Sequence, residues 1–262
     1  MIVPQKSPLI IGHRGASAVA PENTLAAFAR AFDDGADGIE LDVRLARDGV
    51  PVVSHDPTLL LTGSRKARVE RLNSEALGEI DVGSAFNRKH RPLARVHYAR
   101  QTVPTLDAVF NLMGNSSRPD TLVYVEMKAV RKKKLNARLA HAVVELVQRH
   151  NFQRRAIVIS FNLSAVAMVK KLDPSVRTGA LFGPRQRATR SMRRIVSRTL
   201  KCGANEILLH HLIARSGILS LARNAKLTSV VWTVDDPKWV TRARQNGIQA
   251  LMTNNPAKMM IR

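Results

Sequence analysis

Eight short apolar runs, separated by amphipathic stretches, constrain the fold of this chain more than any other feature. The runs occupy 8–12, 37–43, 121–127, 156–161, 178–182, 206–210, 229–234 and 249–253. Between them, segments 23–34, 136–150, 163–172, 187–201 and 213–225 repeat apolar residues at helical spacing. Strands that alternate with helices favour a parallel α/β fold. With 262 residues the chain is long enough to build one large core.

A hairpin is predicted where the second run ends. Asp48-Gly49 is a strong turn signal, and the connection around it is too short for a crossover helix. With these two residues as the turn, Asp42 lies opposite His55, and directly opposed side chains are roughly 5 Å apart at Cβ. Glu40 and Asp42 are two positions apart, so both carboxylates share one strand face. We therefore expect the hairpin to bring a histidine beside a carboxylate pair.

The strand at 121–127 supplies a third carboxylate, because it ends in Glu126-Met127-Lys128. A buried strand rarely carries charge on its core face without a partner. Together, Glu40, Asp42 and Glu126 would form an all-oxygen site, which favours Mg²⁺ or Ca²⁺ over zinc. Lys128 could neutralise a phosphate oxygen or pair with Glu126, and these two interpretations are compatible.

These motifs make the chain resemble the glycerophosphodiester phosphodiesterase family. The matching residues run in family order: His13-Arg14-Gly15, Pro21-Glu22-Asn23-Thr24, Glu40-x-Asp42, Asp48-Gly49, His55-Asp56, Pro104-Thr105-Leu106, Glu126-x-Lys128, Ser160-Phe161 and Trp232-Thr233-Val234. The resemblance implies a (β/α)₈ TIM barrel, which typically needs about 250 residues. The family usually closes with Thr-Asp-x-Pro, whereas this chain has Thr253-Asn254-Asn255-Pro256. Asn254 keeps the shape of that aspartate and loses its charge.

The resemblance also implies a reaction, the metal-dependent hydrolysis of glycerophosphodiesters to glycerol 3-phosphate and an alcohol. The expected site residues are the acid–base pair His13 and His55, the phosphate-binding Arg14 and Lys128, the Mg²⁺ or Ca²⁺ ligands Glu40, Asp42 and Glu126, and the pocket residues Phe161 and Trp232. Which histidine is the acid and which is the base stays open at this point.

Three alternative functions also stay open. A lysophospholipase D or phospholipase-type enzyme at anionic lipid surfaces would use the same barrel with an apolar rim at its mouth. A non-catalytic module that binds phosphorylated metabolites would carry a broken site. A nucleic-acid phosphodiesterase would cleave substrates without a free glycerol hydroxyl.

We expect a single domain over residues 1–262, with a small insertion at about 57–104. Segment 72–83 has helix-like spacing, and the run 86–101 is polar and basic. About 45 residues make a poor independent core, so this segment is expected beside the barrel mouth, where it would shape substrate access.

Charge is the second strong feature, with a formal net charge of +22. Residues 1–56 hold eight acidic and five basic residues, a net charge of −3, which leaves +25 for the remainder. Basic clusters lie at 131–134, at 185–201 and at 88–100. Such charge attracts anions: phosphodiester substrates, lipid headgroups or nucleic acid. Eleven aromatic residues are too few for stacking platforms, so we expect no specific nucleic-acid partner.

Segment 187–201 is a candidate interfacial helix, with Met192, Ile195, Val196 and Leu200 on its apolar side, and would give weak contact with an anionic membrane surface. The alternative, which is more common for such a stripe, is that it packs on the barrel. No run approaches the roughly 20 apolar residues of a membrane-spanning helix. Residues 1–11 do not resemble a signal peptide, and Cys202 has no second cysteine to pair with. A cytoplasmic location is therefore expected, while the oligomeric state stays open.

Overall fold

The computed structural model describes residues 7–61, 66–115, 118–130, 132–184, 186 and 191–260. Its strands are β1 (Leu9–His13), β2 (Gly38–Leu45), β3 (Pro51–Val53), β4 (Leu122–Met127), β5 (Ala156–Ser160), β6 (Arg177–Phe182), β7 (Glu206–His210), β8 (Thr228–Trp232) and β9 (Ala250–Thr253). All of them except β3 pair in parallel, and β1 pairs with both β2 and β9, which closes the sheet. The predicted eight-stranded (β/α)₈ barrel is confirmed.

Helices follow the strands around the outside of the barrel. They are α1 (Leu25–Asp33), α2 (Ser74–Gly78), α3 (Ser84–Lys89), α4 (Leu106–Gly114), α5 (Lys133–Arg149), α6 (Leu163–Leu172), α7 (Met192–Lys201), α8 (Ser216–Asn224), α9 (Lys238–Asn246) and α10 (Pro256–Met259). Thr24 caps α1 by accepting a hydrogen bond from the backbone N–H of Ala27. The sequence patterns missed α4 and α9. Few apolar residues occur in α9, where only Ala243 is buried.

Alternate residues of each barrel strand point inward, as the two-residue period requires. An apolar cluster fills the interior: Ile11, Tyr124, Ile157, Ile159, Leu181, Leu208, Val230, Ala250 and Met252. Below it, Glu206 is fully buried and accepts hydrogen bonds from Arg177 and from the Tyr124 hydroxyl. Near the carboxyl end of the barrel, the inward-facing positions of β2 and β4 are Glu40, Asp42 and Glu126. Active sites of this fold lie at that end.

The predicted hairpin is present, but the predicted pairing register of its two strands is wrong by one residue. Val43 pairs with Val53, and the Ser54 N–H donates to the Asp42 carbonyl at 2.9 Å, so Asp42 does not face His55. The reason is a three-residue loop: Ala46 and Val50 are hydrogen-bonded at 3.0 Å around residues 47–49, and Gly49 has φ of +88°. A left-handed glycine is typical of three-residue hairpin loops.

Segment 57–104 contains short helical turns in place of the predicted helix at 72–83. Within 72–83 only α2 is helical, and the next helix, α3, begins after Asp81, which accepts hydrogen bonds from the backbone N–H groups of Gly83 and Ser84. A small apolar cluster packs this segment against the hairpin: Ala46, Val52, Leu59, Val69, Leu77, Ile80, Val82 and Val103.

The described part of the candidate interfacial helix is α7, and the predicted start at residue 187 lies outside the described residues. Ile195 and Val196 are buried in the layer between the helices and the barrel, so most of the apolar stripe serves packing. Met192 and Leu200 remain about half exposed. Among the described residues, no helix is both long and apolar enough to cross a membrane.

Candidate active site

Three carboxylates from two neighbouring strands meet at the carboxyl end of the barrel. Asp42 of β2 is the register partner of Glu126 of β4, and Glu40 precedes Asp42 by two residues. One oxygen from each of Glu40, Asp42 and Glu126 lies within 4.8 Å of the others, and all three residues are buried. The predicted ligand set is thus brought together by strand register alone, and its geometry could hold a hard divalent cation.

Two positively charged side chains, those of Lys128 and Arg14, lie against these carboxylates. Lys128 Nζ is 2.8 Å from Asp42 Oδ1 and 2.7 Å from Glu126 Oε1, and Arg14 Nε is 3.2 Å from Asp42 Oδ2. Of the three carboxylates, Glu40 receives the least positive charge. Its Oε2 accepts the backbone N–H of Arg14 at 3.0 Å.

The carboxyl groups therefore differ in proton affinity. Burial and repulsion by Asp42 and Glu126 raise the pKa of Glu40 well above its usual value. Burial likewise raises the pKa of Glu126 to about 7, against the opposing effect of Lys128. For Asp42 burial acts in the same direction, yet Lys128 and Arg14 together hold its pKa at about 2. With all three carboxylates ionised the cluster carries one negative charge more than Lys128 and Arg14 offset, and a divalent cation would supply the missing positive charge.

The loop after β1 places Arg14 by means of an unusual backbone. Arg14 has φ of +55° and is followed by Gly15 at +79°. A Cβ atom on Gly15 would lie 2.5 Å from the backbone of Ala27 in α1, so only glycine fits there. The Arg14 side chain also donates to Glu22 at 3.0 Å. Its orientation is therefore fixed by Glu22 on one side and Asp42 on the other.

His13 and His55 lie on the same cavity, together with Glu40 and Glu126. His13 ends β1; its Nδ1 is 2.8 Å from Asn254 Oδ1, and its Nε2 is 3.9 Å from Glu40 Oε2. Burial, aided by the positive charge of Arg14, lowers the pKa of His13 to about 4. The ring is therefore neutral at physiological pH.

His55 reaches the site although the hairpin register differs from the expected one, because β3 ends at Val53 and the chain turns. The guanidinium of Arg44 donates to the His55 carbonyl at 2.6 Å and holds this turn. His55 Nδ1 is 2.8 Å from the carboxylate of Asp56. Burial lowers the pKa of His55, while Asp42 acts to raise it.

The cavity above the carboxylates has a volume of about 190 Å³ and an apolar wall formed in part by Phe161 and Trp232. These two rings meet edge to face, with centroids 5.6 Å apart. An open groove of about 650 Å³ lies beside the cavity and is lined by Arg14, His55, Leu61, Phe86 and Lys89, among others. The groove brings segment 57–104 next to the predicted site residues.

Sequence reasoning gave no role to several residues that hold these groups in place. Asn23, with φ of +58°, donates from Nδ2 to Asp42 Oδ2 at 2.8 Å. Asp235 accepts from the side-chain amide of Asn254 at 2.8 Å. Asn23 belongs to the Pro-Glu-Asn-Thr motif, so the sequence contained a signal that could have identified it. Nothing near Asp235 in the sequence connects it with Asn254 or His13.

Comparison with known proteins shows which family the chain is similar to. A profile of the glycerophosphoryl diester phosphodiesterase family matches residues 13–258. A glycerophosphodiester phosphodiesterase of Caldanaerobacter subterraneus subsp. tengcongensis is 32% identical over 96% of each chain. A phosphodiesterase of Oleispira antarctica, solved with its product sn-glycerol-3-phosphate, superposes with a TM-score of 0.82 at 25% identity, covering 97% of this chain and 95% of its own.

A glycerophosphodiester phosphodiesterase of Agrobacterium tumefaciens gives a TM-score of 0.77 at 26% identity, over 96% of this chain and 98% of its own. Fold and sequence therefore agree with this family over almost the whole length of the protein. The chain belongs to the glycerophosphoryl diester phosphodiesterase family and is a phosphoric diester hydrolase.

Proposed function

We propose that this protein hydrolyses water-soluble glycerophosphodiesters to glycerol 3-phosphate and an alcohol, with a divalent cation as cofactor. The observation that carries the proposal is the buried cluster of Glu40, Asp42 and Glu126 directly below a cavity that both histidines line. The product bound by the Oleispira antarctica relative supports the same substrate class.

Glu40, Asp42 and Glu126 would hold the cation, because they present only hard oxygen donors and, when all three are ionised, carry one negative charge more than Arg14 and Lys128 offset. Both Mg²⁺ and Ca²⁺ suit such donors. When bound, the cation would acidify the glycerol hydroxyl next to the phosphodiester and offset charge on phosphate oxygens.

Arg14 and Lys128 are already fixed by carboxylates, so their positive charges are held at the site before substrate arrives. We assign them to the non-bridging phosphate oxygens, where such preorganised charge stabilises the transition state. His13, neutral and largely buried, would accept the proton of the glycerol hydroxyl. His55, paired with Asp56 and more exposed, would protonate the alkoxide that departs as the glycerol oxygen bonds to phosphorus. Water would then open the resulting cyclic phosphate to glycerol phosphate, with the two histidines in exchanged roles.

The test is phosphodiester hydrolysis with Mg²⁺, with Ca²⁺ and with EDTA. It is followed as glycerol phosphate released from glycerophosphocholine and glycerophosphoethanolamine, as choline released from lysophosphatidylcholine, and as p-nitrophenol released from bis(p-nitrophenyl) phosphate. We expect turnover of the soluble glycerophosphodiesters, its loss with EDTA, and its loss in Glu40→Ala. Glu79→Ala is the matched control, because Glu79 is an exposed acid outside the site. Turnover that survives both EDTA and Glu40→Ala would contradict the metal assignment, and hydrolysis of bis(p-nitrophenyl) phosphate alone would contradict the need for a glycerol hydroxyl.

A second candidate, activity on lysophospholipids at an anionic membrane surface, is favoured by the exposed apolar residues at the barrel mouth. Leu61 lines the open groove and is 77% exposed, Leu212 follows β7 and is 61% exposed, and Phe161 follows β5. The neighbouring segment 88–100 carries five basic residues and no acidic one. Apolar side chains surrounded by positive charge suit an anionic lipid surface.

For this candidate we expect sedimentation with vesicles of phosphatidylglycerol and phosphatidylcholine, but not with phosphatidylcholine alone. Each basic residue near the surface contributes about 1 kcal/mol, so Lys89→Gln, Arg91→Gln and Arg95→Gln combined should weaken binding by roughly 10²-fold. Leu61→Ser should weaken it further, whereas Leu200→Ser, at a half-exposed leucine on α7, should not. Equal binding by the wild type and the triple variant would contradict a membrane role for this segment.

The division into one domain with an insertion at about 57–104, and a cytoplasmic location, stay predictions of the sequence.

A further inference from the structure

The contacts of Asn254 determine which nitrogen of His13 carries the proton. Asn254 Nδ2 lies 2.8 Å from Asp235 Oδ2, and its Oδ1 lies 2.8 Å from His13 Nδ1. A carboxylate only accepts hydrogen bonds, so the amide nitrogen must face Asp235 and the amide oxygen must face the histidine. An amide oxygen also only accepts, so His13 Nδ1 must be the donor. The neutral ring then carries its hydrogen on Nδ1, and Nε2 is left with a free lone pair.

Asp235 is itself firmly held. Its Oδ1 accepts from the Thr253 hydroxyl at 2.8 Å and from the backbone N–H of Asn254 at 2.7 Å, in addition to the side-chain contact through Oδ2. Ser17 closes the other side, because its hydroxyl is 2.8 Å from the His13 carbonyl and 3.0 Å from Asn254 Oδ1. Because the single proton of the Ser17 hydroxyl goes to the His13 carbonyl, the orientation of the Asn254 amide is set by the carboxylate of Asp235, which can only accept from Nδ2.

We propose that Asp235 is a positioning residue, which acts through Asn254 to keep His13 in the Nδ1–H tautomer with Nε2 free to accept a proton. An asparagine has one accepting and one donating end, so without Asp235 it could rotate and present its NH₂ group to the ring. An aspartate at position 254 would accept at both ends and would need no such orientation. In this chain the loss of charge at 254 thus makes a second acid necessary.

The inference rests on the proposed role of His13 as the base, but its main readout does not depend on turnover. Nitrogen-15 NMR of histidine-labelled protein distinguishes a protonated ring nitrogen from an unprotonated one. In the wild type with Mg²⁺ we expect Nδ1 of His13 protonated and Nε2 unprotonated. In Asp235→Ala we expect both tautomers, with kcat lowered roughly tenfold, about the loss from one hydrogen bond, and KM little changed.

Two further variants separate orientation from structural damage. Asp235→Ala combined with Asn254→Asp should restore the single tautomer and most of kcat, because the new carboxylate accepts from Nδ1 in either orientation. Asp236→Ala is the control, since Asp236 is an exposed neighbour that only caps the Lys238 N–H.

An Nε2-protonated His13 in the wild type, or an Asp235→Ala variant with unchanged tautomer and kcat, would overturn the proposal. So would failure of the double variant to restore the tautomer. If the tautomer behaves as expected while no variant hydrolyses glycerophosphodiesters, the positioning holds and the proposed function fails.

Discussion

Alanine in place of His13 or of His55 is expected to lower kcat on glycerophosphocholine by about 10²–10⁴-fold, the usual contribution of one acid or base. Both rings line the cavity above the carboxylates, and each has a second partner that fixes it, Asn254 for His13 and Asp56 for His55. Removal of either leaves the substrate bound but without one proton transfer, so KM should change far less than kcat.

The two histidines can be told apart by the leaving group. Glyceryl p-nitrophenyl phosphate keeps the glycerol hydroxyl but releases p-nitrophenolate, which departs without being protonated. On this substrate His55→Ala should regain most of its lost rate, whereas His13→Ala should remain as impaired as on glycerophosphocholine. The reverse pattern would exchange the roles of the two residues. His141→Ala, an exposed histidine on α5, should be normal on both substrates, and full activity of both site variants would refute acid–base catalysis by this pair.

Arg177→Ala is expected to destabilise the fold by about 3 kcal/mol at pH 7, because it leaves the fully buried carboxylate of Glu206 without its cation. Arg177 is itself partly exposed, which keeps the loss at the lower end of the usual range for broken buried pairs. Denaturant unfolding followed by circular dichroism measures the change. The pair lies at the end of the barrel away from the site, so kcat per folded molecule should be unchanged.

The loss should depend on pH in a definite direction. Burial raises the pKa of Glu206 above its unfolded value, against the opposing effect of Arg177, and removal of the arginine raises it further. The folded variant therefore takes up a proton more readily than the unfolded chain. The stability that Arg177→Ala loses is therefore largest above the raised pKa of Glu206 in the folded variant. The loss becomes smaller as the pH falls through that pKa.

Two further variants test whether the buried pair of Arg177 and Glu206 stabilises the barrel. Glu206→Gln combined with Arg177→Ala should recover most of the stability, since glutamine can still accept from the Tyr124 hydroxyl without a charge. Arg149→Ala, which breaks an exposed pair with Glu145, should cost at most about 0.5 kcal/mol. A similarly small effect of Arg177→Ala would show that the buried pair does not stabilise the barrel.

The barrel could be predicted from the sequence because its signals are local. Each of the eight predicted apolar runs overlaps a strand. Glu40, Asp42 and Glu126 converge because strand alternation turns all three inward and the parallel register aligns Asp42 with Glu126. The hairpin register failed for a local reason as well. An Asp-Gly pair can form a two-residue turn or end a three-residue loop, and the sequence does not choose between them.

The residues that hold the site side chains in place could not be predicted, because their hydrogen bonds join parts of the chain that are far apart in the sequence. Asp235 reaches His13 only through Asn254, and each of these residues follows a different strand. Asn23 contacts Asp42 because the loop after β1 folds back over the barrel mouth with three residues, Arg14, Gly15 and Asn23, in left-handed conformations. Side-chain contacts of this kind depend on tertiary geometry and leave no periodic signal.

The inward alternation of the barrel strands also determines which changes in chain length the protein can tolerate. One extra residue in β2 before Glu40 would turn both of its site carboxylates to the helix side, and one in β4 would do the same to Glu126. The described part of segment 57–104 contributes no strand to the barrel and packs against the hairpin through an apolar cluster that includes Ala46 and Val52, so its length can vary without shifting the register of any barrel strand. Evolution of new substrate preferences on this scaffold should therefore proceed by insertions and deletions in that segment and by substitutions alone within the strands.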